Sequence, residues 1–219
     1  MENCFKETVM NNPWLQIPAS DYEGHMSSPE IAQQQFLAQT FQEALCKYDS
    51  TFIAYLGCTT GNGLEFVNSD VTKKVTALDL NPKYLEILRQ RYEHIVVGLE
   101  VIEANLETCS LEESAYSLIF AGLIFEYVEP EVLLPKIASW LQIKGVLVSV
   151  LQLPSKNLAK VSESHYESLK TLEPIMKLVM PSQFKTIATA FGLHETEARI
   201  VNLASGKPFF IGTYTKNRA

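Results

Sequence analysis

The sequence predicts an α/β fold: a doubly wound, mostly parallel seven-stranded sheet that ends in an antiparallel C-terminal strand pair. Three observations support this prediction. Short apolar runs alternate with helical patterns from residue 51 onward, a glycine-rich loop follows the first run, and a tight turn around Ser205 and Gly206 joins the last two runs. Continuous apolar strands separated by helices are typical of a parallel sheet that is covered on both faces.

The composition is that of an ordinary globular domain. The chain has 219 residues, of which 47% are hydrophobic and 20% are charged. Because no repeat, low-complexity tract or linker interrupts the pattern, we predict a single domain over residues 1–219. The four cysteines lie at no zinc-ligand spacing, so we expect reduced thiols, no metal site and a cytoplasmic location.

Charge and hydropathy exclude two classes of partner. The formal net charge is −7, and the densest basic stretch, residues 89–91, is short; nucleic-acid binders usually carry a basic patch. The longest apolar run, around Val146 to Leu153, is too short to span a bilayer, and Met1–Met10 lacks the pattern of a signal peptide. We therefore predict no nucleic-acid or membrane partner; nothing in the sequence indicates an oligomeric state.

The N-terminal part, residues 1–48, is predicted to be a lid segment followed by a helix. Residues 1–27 mix aromatic, proline and charged residues without a period. Ser28, Pro29 and Glu30 then form a helix-start pattern, because a capping hydroxyl, a proline at the first turn and an early acid all favour the helix N-terminus.

Residues 51–152 are predicted to form the strand-rich core. Helices are expected at 63–67, from Asn81 and Pro82, and from Pro130 until Gly145 ends the helix. Five strands are expected between and after these helices, at residues 52–56, 75–80, 99–103, 118–123 and 146–151.

After Pro154 the regular alternation of predicted strands and helices ends. Residues 155–192 are predicted to be a helical insertion: residues 156–179 are expected to be helical but broken by Pro174, and a further helix starts at Pro181 and ends before Gly192. Residues 194–203 and 208–215 are predicted to be strands of a hairpin within 194–215, since a tight connection makes neighbouring strands antiparallel.

The glycine loop, residues 55–63, follows a strand and precedes a helix. Glycines there allow a tight turn and a close approach to a ligand. The loop lacks the Gly-Lys-Ser/Thr ending of a phosphate-binding P-loop, and Phe66 occupies the third glycine position of a dinucleotide fingerprint that would start at Gly61.

The loop resembles the first motif of the class I S-adenosylmethionine-dependent methyltransferase family, of the small-molecule type. In that motif an apolar strand is followed by Asp/Glu-x-Gly-x-Gly-x-Gly or a close variant. Gly57 and Gly61 are kept here, whereas Tyr55 replaces the acid and Thr59 replaces the middle glycine. The resemblance covers about residues 50–152 and implies a Rossmann-like methyltransferase fold, with S-adenosyl-L-methionine as cofactor and S-adenosyl-L-homocysteine as product.

Further strand ends carry the cofactor-binding residues that this resemblance implies. Asp79 lies 22 residues after Gly57, where an acid accepts hydrogen bonds from ribose hydroxyls. Asn105 is expected at the adenine amino group, and a small pair at residues 121 and 122 beside the reactive methyl group. The predicted cofactor-binding set is Gly57, Cys58, Thr59, Gly61, Asn62, Asp79, Leu80, Asn105, Leu106, Ala121 and Gly122.

The acceptor site is predicted from two segments that could close over the cofactor, residues 14–26 and 156–180. His25 is a candidate base because histidine titrates near neutral pH, and Tyr22 and Glu126 are the other candidate catalytic residues. Met176 and Met180 could line an apolar pocket. The predicted substrate-binding residues are Trp14, Tyr22, His25, Met26, Tyr127 and Tyr166.

These features predict methyl transfer to a small-molecule acceptor, by O-, N- or C-methylation. In such a reaction the cofactor carries the activation and the protein mainly positions and desolvates. The main alternative is a non-catalytic S-adenosylmethionine- or nucleoside-binding protein of the same fold, which Tyr55 and Thr59 favour. A weaker alternative is an NAD-dependent oxidoreductase.

Overall fold

The computed structural model describes residues 12–156 and 158–217 and confirms the predicted fold. A seven-stranded sheet has the order β3-β2-β1-β4-β5-β7-β6, in which the first five strands are parallel and β6 and β7 are antiparallel. The strands are β1 Phe52–Leu56, β2 Lys74–Asp79, β3 Leu99–Glu103, β4 Tyr116–Gly122, β5 Leu141–Gln152, β6 Leu193–Asn202 and β7 Pro208–Lys216.

Helices cover both faces of the sheet. Three of them begin with a proline, whose fixed φ suits the first helical turn, and Asn81 caps one of these three by accepting a hydrogen bond from the Lys83 N–H at 3.0 Å. The helices are α1 Ala19–Ser27, α2 Gln33–Lys47, α3 Pro82–Tyr92, α4 Pro130–Trp140 and α5 Pro181–Ala190, with 3₁₀ turns at Pro13–Leu15, Leu64–Phe66 and Glu167–Leu172.

Strand order reverses at the centre of the sheet. From β1 the chain runs outward through β2 and β3, and then returns to place β4 on the other side of β1. In open parallel sheets a ligand crevice forms at such a switch point, outside the carboxyl ends of the strands. The topology therefore places residues 57, 79, 104 and 122 along one edge of the sheet.

Two apolar clusters fill the two sides of the sheet. One packs α4 and α5 against residues such as Leu56 and Ile119. The other packs α2 and α3 against residues such as Ile53 and Phe120. Because both faces are buried, the central strands are mostly apolar, which is why they are clear in the sequence.

The prediction for the N-terminal helix was wrong at its start. Ser28 ends α1, because its hydroxyl donates to the His25 carbonyl at 3.1 Å, and the next helix begins only at Gln33. The predicted irregular segment 1–27 contains α1 within its described part. Residues 1–11 of the predicted lid lie outside the described residues.

The predicted helix over residues 156–179 was also wrong. Within the described part of residues 156–179, only Glu167–Leu172 is helical, as a 3₁₀ turn. Serine hydroxyls compete for backbone groups: the Ser164 hydroxyl accepts a hydrogen bond from the Tyr166 N–H at 3.3 Å. Pro174 lacks an N–H for a continuing helix. Likewise α4 ends at Trp140, and β5 starts at Leu141, ahead of the predicted break at Gly145.

The outer strand β6 forms one edge of the sheet and carries a register shift between Glu195 and Glu197. Its charged side chains are paired with neighbouring elements: Glu195 with Lys185, Glu197 with Lys47, and Arg199 with Glu43. None of the helices in the described part of the chain has the length and apolarity that crossing a bilayer requires.

Candidate active site

A cavity of about 170 Å³ opens at the carboxyl edge of the parallel strands. Its floor comes from residues that follow β1, β2, β3 and β4, and its cover comes from α1 and the insertion after β5. We call the part over β1 to β3 the cofactor end, and the part beneath α1 and the insertion the acceptor end. Predicted cofactor residues that line the cavity are Gly57, Thr59, Asp79, Leu80, Asn105, Leu106 and Gly122.

Tyr55 holds the glycine loop in place of the acid that the family motif has there. Its buried hydroxyl donates to the Asn62 carbonyl at 2.9 Å, and the Asn62 amide donates to the Gln34 carbonyl at 2.9 Å. The tyrosine ring packs against Phe41 and Phe120 beneath the sheet. The aromatic residue therefore orders the loop by a neutral hydrogen bond and by packing.

The loop backbone adopts left-handed conformations. Gly57 has φ +64°, Gly61 φ +93°, and Thr59, at the position of the family's middle glycine, has φ +48°. This conformation is costly for a β-branched residue. The Thr59 N–H compensates by donating to the Asp79 carboxylate at 2.9 Å, so the loop and the end of β2 are joined directly.

Asp79 is the buried carboxylate of the cofactor end. Its side chain accepts hydrogen bonds from the Thr59 N–H at 2.9 Å and the Asn81 N–H at 2.8 Å. Burial raises its pKa to about 6. A carboxylate has about four lone-pair sites, so it retains capacity to accept hydrogen bonds from a ligand in the cavity.

The neighbouring strand ends provide two apolar side chains and an amide. Leu80 and Leu106 both line the cavity, together with Asn105. The Asn105 side-chain oxygen Oδ1 accepts from the Glu107 N–H at 2.9 Å, which fixes the turn after β3. The pattern is that of a slot for a flat, partly polar group.

Four predicted cofactor residues do not line the cavity. Cys58 is fully buried in the core, where burial raises the pKa of its thiol. Gly61 lies under the Tyr92 ring, Asn62 ties the loop to α2, and Ala121 is buried within the sheet. These residues shape the loop and the sheet around the cavity. Direct cofactor contact by them stays a prediction.

The acceptor end has an aromatic wall that the sequence predicted. Trp14, Tyr22 and Tyr127 line the cavity with Met26, and the Trp14 and Tyr127 rings meet edge to face at 5.1 Å. Burial raises the pKa of Tyr22 to about 12. Its hydroxyl therefore remains protonated at neutral pH and is available only as a hydrogen-bond donor or acceptor.

His25 lies in α1 and also lines the cavity. Its Nδ1 is 2.7 Å from the Ser164 hydroxyl. Burial and, secondarily, the positive charge of Lys207 lower its pKa to about 4. The imidazole is therefore neutral at pH 7, where it can accept a hydrogen bond, but as it stands it is a weaker base than the sequence suggests.

Glu126 and Tyr166 do not line the cavity, although the sequence places them at the acceptor. The Glu126 carboxylate is buried and accepts from the Gln152 N–H at 2.6 Å, and burial raises its pKa to about 7. Tyr166 packs against α1: a Cβ added to Gly24 would lie 2.1 Å from its hydroxyl oxygen. Met176 lines the cavity, whereas Met180 is exposed.

Most of the polar residues at the acceptor end were not predicted from the sequence. Gln152 lies at the end of β5, Lys160 and Ser162 in the insertion, and Lys207 in the turn between β6 and β7. These positions are far apart in the chain, and a lone lysine in a turn is usually solvated. Only the topology, which places the start of β7 beside the end of β5, brings them together.

Fold and cavity together define an α/β protein with a ligand crevice at the strand-order reversal. Residues 53–145 match the sequence model of the methyltransferase domain. Over these residues the chain is similar to the class I S-adenosylmethionine-dependent methyltransferase family, whose cofactor is S-adenosylmethionine. Curated protein sequences give no match to the chain.

Solved structures with the same fold have diverged far in sequence. The N-methyltransferase NodS from Bradyrhizobium japonicum, in complex with S-adenosyl-L-homocysteine, is 15% identical with a TM-score of 0.64, over 85% of this chain and 88% of that chain. Geranyl diphosphate C-methyltransferase from Streptomyces coelicolor is 10% identical with a TM-score of 0.65, over 85% and 82%. The cyclase SpnF is 12% identical with a TM-score of 0.66, over 86% and 83%.

The residues of the cofactor end fit the cofactor of the family. A buried carboxylate, Asp79, suits ribose hydroxyls, and the apolar Leu80 and Leu106 suit a purine. Gly57 has no Cβ, and the flexible end of the Ile124 side chain fills the space that a Cβ would occupy. Because that side chain can rotate, it does not prevent entry of a ligand. Within the described residues, no cluster of side chains suitable for a metal ion is present.

Proposed function

We propose that the protein transfers a methyl group from S-adenosylmethionine to a small-molecule acceptor held under α1 and the insertion. The single observation that carries this proposal is the buried Asp79 carboxylate, which faces a cavity at the strand-order reversal. The cofactor supplies an activated methyl group. The protein then has to bind both partners, orient them and exclude water.

At the cofactor end, each strand tip has a separate task in this proposal. Asp79 accepts hydrogen bonds from the ribose hydroxyls, and Leu80 and Leu106 pack on the adenine. Asn105 contacts the adenine edge, while Gly57 and the backbone that follows it pass beside the methionine part. The Tyr55 hydrogen bond to Asn62 holds the loop in this arrangement.

At the acceptor end, we propose that Trp14, Tyr22 and Tyr127 exclude water and pack against the acceptor. His25 accepts a proton or hydrogen bond from it. Two contacts support a closed cover: the Ser168 hydroxyl donates to Asp21 at 2.6 Å, and the Thr60 hydroxyl donates to Glu23 at 2.5 Å. They fasten α1 to the insertion on one side and to the glycine loop on the other.

Two alternatives keep the cavity and change its use. Thr59 in place of a glycine favours binding without turnover, and SpnF is a cyclase with the same fold. Our preference for methyl transfer rests on the match of residues 53–145 to the methyltransferase domain. Binding of the cofactor with no methylated product from a broad acceptor panel would favour a non-catalytic role.

The ribose assignment is tested with Asp79→Asn. We expect the affinity for S-adenosylhomocysteine, measured by calorimetry at pH 7.5, to fall by about 10- to 100-fold, because a charge-assisted hydrogen bond becomes a neutral one. Asp70→Asn is the matched control, since Asp70 is an exposed carboxylate away from the cavity, and its affinity should stay that of the unmodified protein.

The pH dependence gives a second test of the same residue. Since the pKa of Asp79 is about 6, its carboxylate protonates between pH 7 and 5, and the affinity of the unmodified protein should fall over that range. The Asp79→Asn variant should lack this fall. Binding of NAD with no binding of S-adenosylhomocysteine, or undiminished binding by Asp79→Asn, would contradict the proposal.

A further inference from the structure

Lys207 is a buried ammonium group without an acidic partner. It lies in the turn between β6 and β7, is 2% exposed and lines the cavity. Its Nζ donates to the Lys160 carbonyl at 2.8 Å. Within residues 12–156 and 158–217, no carboxylate forms an ion pair with it, and two of its three N–H donors have no protein acceptor.

A buried charge is unfavourable unless an opposite charge and hydrogen bonds stabilise it. Burial lowers the pKa of Lys207 to about 8, so the amine is still mostly protonated at pH 7. The acidic residues that line the cavity, Asp79 and Glu107, follow β2 and β3 and thus belong to the cofactor end. The described side chains that line the acceptor end therefore include two lysines, Lys207 and Lys160, and no acidic residue; the Lys160 Nζ donates to the Met176 carbonyl at 2.9 Å.

The position of Lys207 separates it from the cofactor end. The residue precedes β7, which pairs with β5, while β4 lies between β5 and β1. With a strand spacing of about 4.8 Å, Lys207 is roughly three spacings, about 14 Å, from the glycine loop across the sheet. In the proposed function the cofactor would lie over the tips of β1 to β3, on the other side.

The surroundings of Lys207 combine polar and apolar groups. Gln152 donates its side-chain amide to the same Lys160 carbonyl at 2.9 Å, and His25 is close enough for the lysine charge to lower its pKa. Apolar side chains of the insertion complete the wall, namely Val161, Leu169, Leu172 and Met176.

We propose that Lys207 binds a carboxylate group of the methyl acceptor, which makes the acceptor an amphipathic carboxylic acid with an apolar body. This inference rests on the proposed function. The two remaining N–H donors of the ammonium group bond the carboxylate, and the apolar body lies against Leu172 and Met176. The bound negative charge also offsets the lysine charge beside His25 and so makes the imidazole a better proton acceptor.

The test compares an acid with its neutral amide. Binding of 3-phenylpropionate and of 3-phenylpropionamide is measured by calorimetry on the full chain, with and without saturating S-adenosylhomocysteine. We expect the acid to bind about tenfold more tightly than the amide, because only the acid gains a charge-assisted hydrogen bond. Lys207→Met should reduce this preference to about twofold or less, and Lys207→Arg should retain it.

Lys73→Met is the matched control, because Lys73 is exposed at the opposite edge of the sheet, before β2. It should keep the preference of the unmodified protein. Equal binding of acid and amide by the unmodified protein would overturn the proposal, as would a preference that survives Lys207→Met. The comparison of acid and amide on the unmodified chain tests the proposal even if a Lys207 variant folds poorly.

Two further outcomes distinguish the sources of the carboxylate. If Lys207→Met weakens S-adenosylhomocysteine binding about tenfold or more, the ammonium group serves the carboxylate of the cofactor, and the proposal is wrong. If the chain binds no S-adenosylhomocysteine at all, the proposed function fails. The ratio of the affinities for the acid and the amide, measured without S-adenosylhomocysteine, still tests the role of Lys207.

Discussion

The two ends of the cavity are built in different ways. The cofactor end consists of backbone turns at the tips of adjacent parallel strands, with a single buried carboxylate. The acceptor end consists of side chains from α1, the insertion, β5 and the β6–β7 turn. Under the proposed function, cofactor recognition would follow from the fold itself, whereas acceptor recognition would depend on side chains that can change without disturbing the sheet.

The largest expected effect is at the backbone of the cofactor end. Gly57→Ala forces an alanine to φ +64° and places its Cβ 2.0 Å from Ile124 Cδ1. We expect the free energy of unfolding to fall by about 3 kcal/mol, mostly from left-handed strain with a smaller cost for rotating the Ile124 side chain away, and S-adenosylhomocysteine binding to be lost. Thermal and denaturant unfolding measure the first effect, and calorimetry the second.

Gly192→Ala is the control for this substitution. Gly192 has φ +78°, and a Cβ there meets nothing within 4 Å, so it reports the backbone strain alone, about 1–2 kcal/mol. If Gly57→Ala costs no more than Gly192→Ala and leaves binding intact, the cofactor end is not defined by its backbone, and the contrast between the two ends fails.

A smaller effect is expected at the junction between the two ends, where Glu126 bonds Gln152. Burial raises the pKa of Glu126 from 4.5 to about 7, so the folded state binds the proton more tightly. Its contribution to stability is full below about pH 4.5 and is lost as the pH rises to about 7. Relative to the unmodified protein, Glu126→Gln should gain about 3 kcal/mol between pH 4.5 and 8.

Denaturant unfolding at several pH values measures this difference. His25, whose lowered pKa of about 4 acts in the opposite direction, is present in both proteins and cancels in the comparison. Glu131→Gln removes an exposed carboxylate from α4 and should give a pH-independent difference. If the stability difference between Glu126→Gln and the unmodified protein also stays constant with pH, the pKa of the buried Glu126 carboxyl is not raised.

The smallest expected effect concerns the loop support. Tyr55→Phe removes the hydroxyl that donates to the Asn62 carbonyl and should destabilise the protein by about 1 kcal/mol, with a several-fold loss of S-adenosylhomocysteine affinity. Tyr116→Phe, which removes a buried hydroxyl bonded to Thr76 at 3.2 Å, should cost similar stability and no affinity. Equal affinity losses in both variants would mean that Tyr55 has no special role in the loop.

The contrast between the ends also explains what the sequence could predict. β1 was predicted with the observed bounds because an apolar strand buried on both faces has a local signature. β3 is only partly buried, yet its short apolar run also predicted the observed bounds. The positions of Asp79 and the glycines were predicted because the carboxyl ends of parallel strands meet at one edge of the sheet, whatever conformation the loops adopt. Both inferences need only residues that are close in the chain.

Lys207, Gln152 and Lys160 could not be found in this way. Their proximity depends on the antiparallel pairing of β5 and β7 and on an insertion whose path is mostly irregular. The prediction of a helix over residues 156–179 was wrong for a different reason. There, serine hydroxyls and Pro174 outweigh the helical spacing of the apolar residues. Glu126 was placed at the acceptor by its position after β4, yet its side chain turns into the core.

The paired charges on β6 have a consequence for self-association. An edge strand with open N–H and C=O groups invites a second chain to extend the sheet. Here a neighbouring strand would have to displace the pairs of Glu195, Glu197 and Arg199 and match a kinked register. Charged side chains and a kink at an edge strand oppose such pairing, so they protect the long hairpin beside the acceptor end against lateral growth of the sheet.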